Sequence, residues 1–103
     1  MIEAAPPEHW AIDINWADAQ FYCFMLNIDG VKGWRLPSVD ELINLRHTLE
    51  SGAALKEGEN SWVWSNKVVN DQCYQYYTGS GEIDFFTVDD FFKVMTVPVR
   101  TLY

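Results

Sequence analysis

Apolar and polar positions change period along this chain, and each change marks an element. His9-Trp10-Ala11-Ile12-Asp13-Ile14 alternates, with Trp10, Ile12 and Ile14 on one side, which predicts a short strand. Asn15 is a suitable N-cap, and Asp18 three residues on suits a helix N-terminus. The helix runs from about Trp16 to Asn27, with Trp16, Ala19, Cys23 and Leu26 inward and Asp18, Gln20 and Asn27 outward. Asp29-Gly30 closes it as a turn, and 31–36 is extended.

Gly33-Trp34-Arg35-Leu36-Pro37-Ser38-Val39-Asp40-Glu41-Leu42 is the joint around which the rest is arranged. Pro37 fixes its own φ and holds Leu36 extended. Ser38 and Glu41 have the spacing of a reciprocal helix cap. Period-two alternation sets Trp34 and Leu36 on one side, buried together against the helix that follows. That helix runs from Val39 to about Leu49, with Leu42, Leu45 and Leu49 inward, Ile43 widening the stripe, Asp40 and Arg46 outside, and Ser51-Gly52 as its end.

Ala53 to Ser61 is a polar loop, and Trp62-Val63-Trp64-Ser65 is strongly β-prone. Cys73 to Thr78 and Glu82 to Thr87 read as strands joined by Gly79-Ser80-Gly81, a suitable hairpin connection. Val88-Asp89-Asp90 is a second turn, and Phe91 to Arg100 a last strand in which Pro98 marks an edge or a bulge. Two helices followed by strands predict an α+β domain, its helices packed on a twisted antiparallel sheet. Residues 1–9 are expected to be a flexible segment ahead of one domain over 10–103.

Composition narrows the functional classes. Five Trp, five Tyr and six Phe are a heavy aromatic load for 103 residues. The formal net charge of −8 argues against a nucleic-acid backbone or an anionic membrane as partner. No signal-peptide pattern and no membrane-spanning run is present, so a full gene product would be cytoplasmic; a domain excised from a longer protein could be extracellular or on a virion surface. Cys23 and Cys73 read as buried small residues, with no second Cys or His nearby for zinc.

Trp16-Ala17-Asp18-Ala19 with Cys23, then Gly33-Trp34-Arg35-Leu36-Pro37-Ser38 with Glu41-Leu42, then Trp64-Ser65 and the closing Val97-Pro98-Val99-Arg100 together resemble the DUF1566 family. That family is also known as the C-terminal domain of the Legionella collagen-like adhesin (Lcl), a bacterial and phage branch of the C-type lectin-like fold related in shape to formylglycine-generating enzymes. The resemblance spans about Trp10 to Arg100. It implies a lectin-like domain whose chain ends lie close together. The first helices and the joint, with Trp16, Trp34, Arg35, Leu36, Pro37, Ser38, Glu41 and Trp64, would be scaffold, and ligands would be met by roughly 66–92. Two departures stand out. Pro98 occupies a position where family members often carry a Cys that pairs with the first helix, and the segment before that helix is short.

No enzymatic constellation is evident. The chain has no nucleophile–base pair, no phosphate loop, and nothing like the cysteine pair of formylglycine-generating enzymes. For calcium, Asn66, Asn70, Asp71, Asp84, Asp89 and Asp90 offer oxygens, but their spacing matches no calcium loop and the sugar-lectin signatures are absent, so no cofactor is expected. Arg35 is expected to pair with Glu41 or Asp40, or to bond loop carbonyls. The binding candidates are Tyr74, Tyr76, Tyr77, Phe86 and Phe92 with Asp84, Asp89 and Asp90, and Phe85 and Phe91 belong to the same group. Adjacent rings in a strand cannot share a face. Half of them therefore either pack under another element or form an exposed acid-rimmed patch. The expected function is a non-enzymatic recognition module for a protein or glycan, phage- or adhesin-associated. The alternatives are an acidic intracellular inhibitor of a nucleic-acid-binding or defence protein, and an assembly domain of a fibre.

Overall fold

The computed structural model describes residues 2–49, 51, 62–78, 81–87 and 94–102. In chain order the elements are β1 (Ile2–Ala4), a 3-10 turn over Pro7–His9, β2 (Ala11–Ile14), α1 (Trp16–Met25), α2 (Val39–Asn44), β3 (Trp62–Val69), β4 (Gln72–Tyr77), β5 (Ile83–Thr87), β6 (Val94–Thr96) and β7 (Val99–Thr101). The fold is a mixed α+β globule, with two sheets among the described residues. β1 and β7 form a two-stranded antiparallel ladder, and the larger sheet has the order β2-β6-β3-β4-β5. All its pairings are antiparallel except β3 with β6. Among the described residues no helix is long and apolar enough to cross a membrane.

Val63 and Trp64 are neighbours in β3 and point to opposite sides of the sheet. Each anchors its own core. Val63, Tyr76 and Met95 gather with Trp10, Leu42 and Leu49, so α2 covers that side. Trp64 and Cys73 gather with Ala19, Cys23 and Leu36, so α1 covers the other. Indole N–H groups tie these layers to the backbone: Trp10 donates to the Ala5 carbonyl at 2.7 Å, Trp16 to Ser65 at 3.0 Å, Trp34 to Val31 at 3.0 Å and Trp64 to Ile14 at 2.8 Å. Each ring thus buries its body while its polar edge is satisfied.

The two caps form as their spacing requires. Asn15 Oδ1 accepts the Asp18 N–H at 2.8 Å. Ser38 Oγ accepts the Glu41 N–H at 3.1 Å, while Glu41 Oε1 accepts the Ser38 N–H at 2.8 Å. The helix opened by Ser38 breaks at Leu45 and resumes over 46–49, where Leu49 donates back to the Leu45 carbonyl.

Three expectations need correction. Residues 2–4 are not a loose tail: Ile2 pairs with Thr101 and Ala4 with Val99, because the C-terminal strand otherwise has an open edge. The last strand is divided. Its chain leaves the large sheet after Thr96, passes Val97-Pro98, where Pro98 lacks a ladder N–H, and joins β1 as β7. Trp34 and Leu36 are both buried, but in different clusters. Arg35 between them is fixed to Val99 by reciprocal backbone bonds of 2.8 and 2.9 Å, so this segment runs between the two cores and supplies one side chain to each.

β3 also extends beyond the aromatic run, through Val69. Its two-residue connection to β4 has Asn70 at φ 50° and Asp71 at φ 63°. Two successive left-handed residues suit the right-handed twist of a hairpin. The ladder is interrupted between Trp64 and Val68. Ser65 compensates, its hydroxyl donating to the Tyr74 carbonyl at 2.8 Å and accepting from the Lys67 N–H at 3.2 Å.

Candidate interaction surface

The joint after α1 is a locked scaffold. Arg35 grips both oxygens of Glu41, at 2.7 and 2.8 Å, and reaches Thr101 Oγ1 at 3.0 Å. This is the fork-on-fork geometry of a strong charge-assisted pair. The guanidinium, together with the Ser38 N–H, holds the Glu41 carboxyl down to about 2. Glu41 is thus ionised and fully engaged, with no proton to exchange near neutrality. Asp40, the other partner considered for Arg35, is exposed.

Among the described residues, the most exposed large apolar side chains lie on α1. Ala19 and Cys23 face the core, yet Phe21, Phe24 and Met25 on the outer side are 66%, 78% and 60% exposed. Their spacing of three, four and one gives them a common face. Phe21 forms a ridge between two grooves. One, of about 520 Å³, runs between α1 and the Trp34–Leu36 segment and is lined by Ala17, Gln20, Phe21 and Phe24 from the helix side. The other, of similar volume, is lined by Asp18, Tyr22, Met25, Leu26 and Asn27 with Phe21. The acid Asp18 therefore stands on the wall of a largely apolar groove. The sequence signal for this face was present in the run Phe21-Tyr22-Cys23-Phe24-Met25. Assigning one inner stripe to α1 left the second stripe unread.

The residues singled out in the C-terminal third do not form one group. Tyr76 is in the core with Val63 and Met95, so it offers nothing to a partner. Tyr77 stacks on Trp62 with ring centroids 4.9 Å apart. Tyr74 stacks on Phe85 at 5.6 Å, and the Lys67 ammonium sits 4.8 Å above the Tyr74 ring. Tyr74, Phe85 and Ile83 share a side of the sheet because Tyr74 pairs with Phe85 and Tyr76 with Ile83. Ile83 and Phe85 are nearly half exposed, so this smaller patch is open to solvent. Asp84 is exposed, and its Oδ1 accepts the Phe85 N–H at 2.8 Å. Phe86 pairs with Cys73 through the backbone. Asp89, Asp90 and Phe92 lie outside the described residues, as does Phe91.

Neither cysteine is exposed at these surfaces. Burial pushes the Cys23 thiol up to about 12 and the Cys73 thiol up to about 11, away from the thiolate form. Both are free thiols in the buried cluster beneath α1. Among the described residues, no three His, Cys, Asp or Glu side chains come together as a metal site would need. Gln75 Nε2 and Thr96 Oγ1 are buried without a hydrogen-bond partner, and neither residue lines one of the two α1 grooves.

In comparison with known proteins, no family model matches this sequence, and no curated protein matches it either.

Proposed function

We propose that this chain is a non-enzymatic recognition module that binds a partner protein through the outer face of α1. The observation that carries the reading is the exposure of Phe21, Phe24 and Met25 on a helix whose other side is already buried. Large apolar side chains flanked by grooves suit a protein interface, with rings as anchors and grooves as receptors for the partner's side chains. The partner's contacting surface is apolar at its centre and basic at its rim. That chemistry complements Asp18 on the groove wall and the net charge of −8. A glycan is the weaker candidate for this face, since stacking on a sugar calls for ordered polar groups beside the ring, and the groove walls are mainly apolar.

The fold reading that accompanies this function is the C-type lectin-like one. Pairing of Ile2 with Thr101, which brings the ends of the described chain together, supports it, as does the Trp-Arg-Leu-Pro-Ser joint capped by Glu41. The resemblance makes the joint and the first helices scaffold and has ligands met by roughly 66–92, so the assignment to α1 rests on its exposed side chains and not on the fold.

The charge favours a second reading, in which the partner is a nucleic-acid-binding protein and this chain blocks its basic surface. The two readings share a surface and differ in salt response.

The test compares wild type, Phe21→Ser/Phe24→Ser and Tyr74→Ser/Phe85→Ser as immobilised baits. Partners held by α1 are retained by wild type and by the Tyr74/Phe85 variant, and lost from the Phe21/Phe24 variant. Partners held equally by all three would overturn the assignment to α1. For a captured partner, a steep fall of affinity with salt supports the blocking reading, and a flat response removes it.

A further inference from the structure

We propose that the outer edge of β5 is a self-association surface for a second copy of this chain, held shut by Asp84. β5 stands at one margin of the five-stranded sheet. Its register with β4 decides which backbone groups remain. Tyr77 N–H donates to the Glu82 carbonyl at 2.8 Å, and the same ladder pairs Gln75 with Asp84 and Tyr74 with Phe85. Bonded and non-bonded pairs alternate in an antiparallel ladder. Asp84 therefore turns its N–H and C=O towards β4, while Ile83, Phe85 and Thr87 turn theirs outward. Among the described residues no strand lies beyond them.

Such a row is a template for another strand. Here its central donor is occupied: the Phe85 N–H is taken by Asp84 Oδ1 at 2.8 Å. Asp84 opposes the symmetric pairings that centre on Phe85 and on itself, both of which leave the outward groups in phase. Antiparallel pairing of two copies centred on Phe85 would need both central N–H groups, and both are engaged. Pairing centred on Asp84 would set one carboxylate directly against the other. Without the carboxylate, the edge presents backbone groups that no described strand fills, beside the half-exposed Ile83 and Phe85 side chains. This surface is independent of α1.

The experiment is sedimentation equilibrium on the intact chain. Asp84→Ala removes the acceptor and the charge without adding a large apolar group. Its self-association is expected to be at least about tenfold tighter than that of wild type. Adding Ile83→Pro should return the variant to the wild-type value, because that N–H faces the open edge and its loss costs no bond to β4. Hydrogen exchange on wild type is a second readout, independent of whether the variants fold. The Phe85 amide should exchange about tenfold more slowly than those of Ile83 and Thr87. An Asp84→Ala chain that associates no more than wild type, association that survives Ile83→Pro, or a Phe85 amide as exposed as its neighbours overturns the proposal.

Discussion

Replacing Glu41 by Gln tests how much the Arg35–Glu41 pair stabilises the fold. The change keeps the size of the side chain and one carbonyl acceptor, and removes the charge. The Arg35 guanidinium, followed by the Ser38 N–H, lowers the Glu41 carboxyl from the ordinary 4.5 to about 2. Each tenfold change in proton affinity is worth about 1.36 kcal/mol, so the interaction is worth about 3 kcal/mol at most. Arg35 is 37% exposed and Glu41 21%, so solvent screening reduces that to about 2 kcal/mol.

The folded pKa lies below the unfolded one, so the unfolded chain takes up the proton first as pH falls. The stabilisation is complete above about 4.5 and is lost progressively as pH drops towards about 2. Urea unfolding at pH 7 should therefore show Glu41→Gln less stable than wild type by about 2 kcal/mol, with a Tm lower by about 8–16 °C. Repeated at pH 4 and pH 3, the gap should close steadily. A gap at pH 7 below about 0.5 kcal/mol, or one that stays constant down to pH 3, would refute the electrostatic argument.

Three further outcomes follow from separate parts of the fold. Asp71 sits at φ 63° in the two-residue β3–β4 connection, so Asp71→Gly should stabilise by up to about 1 kcal/mol in thermal unfolding. Cys23 and Cys73 should react with a disulfide reagent at neutral pH only as fast as the native state opens, and at once in denaturant, since burial raises both thiols. Phe21→Gln/Phe24→Gln/Met25→Gln should change unfolding free energy by less than about 1 kcal/mol while abolishing binding through α1, because exposed sites on a helix tolerate a good helix former.

How far the sequence could be read depended on whether a signal was local. Caps are local, and Asn15–Asp18 and Ser38–Glu41 are both formed at the positions their spacing indicated. The aromatic run at Trp62 and the glycine-containing connection before β5 likewise marked strands. Non-local pairings were not legible. Ile2–Ala4 looked like a loose tail because nothing near it in sequence needs a strand; its partner lies at Val99–Thr101, at the other end of the described chain. The parallel β3–β6 contact was invisible for the same reason. Tyr76 and Tyr77 illustrate the limit for the candidate site. Alternation correctly sends them to opposite faces, but only the position of α2 decides that the Tyr76 face is covered. The position of Lys67 over the Tyr74 ring follows from the hairpin register, which no residue in that stretch announces.

The α1 sequence carries the argument for the binding role proposed for this helix. A ten-residue helix on a sheet needs a single apolar stripe, and Ala19 and Cys23 provide it with Trp16 and Tyr22 at its margins. Both inner residues are small, which lets the helix backbone approach Trp64 and Leu36 closely. Were the outer residues present only to thicken the core, they would lie over it. Instead Phe21, Phe24 and Met25 stand in water on the opposite side, where they contribute little to folding and raise the risk of non-specific association. The nearest route to covering them is a partner's side chains entering the grooves on either side of Phe21. The inner stripe of α1 therefore serves packing on the sheet, and the large outer residues are the ones the proposed recognition uses.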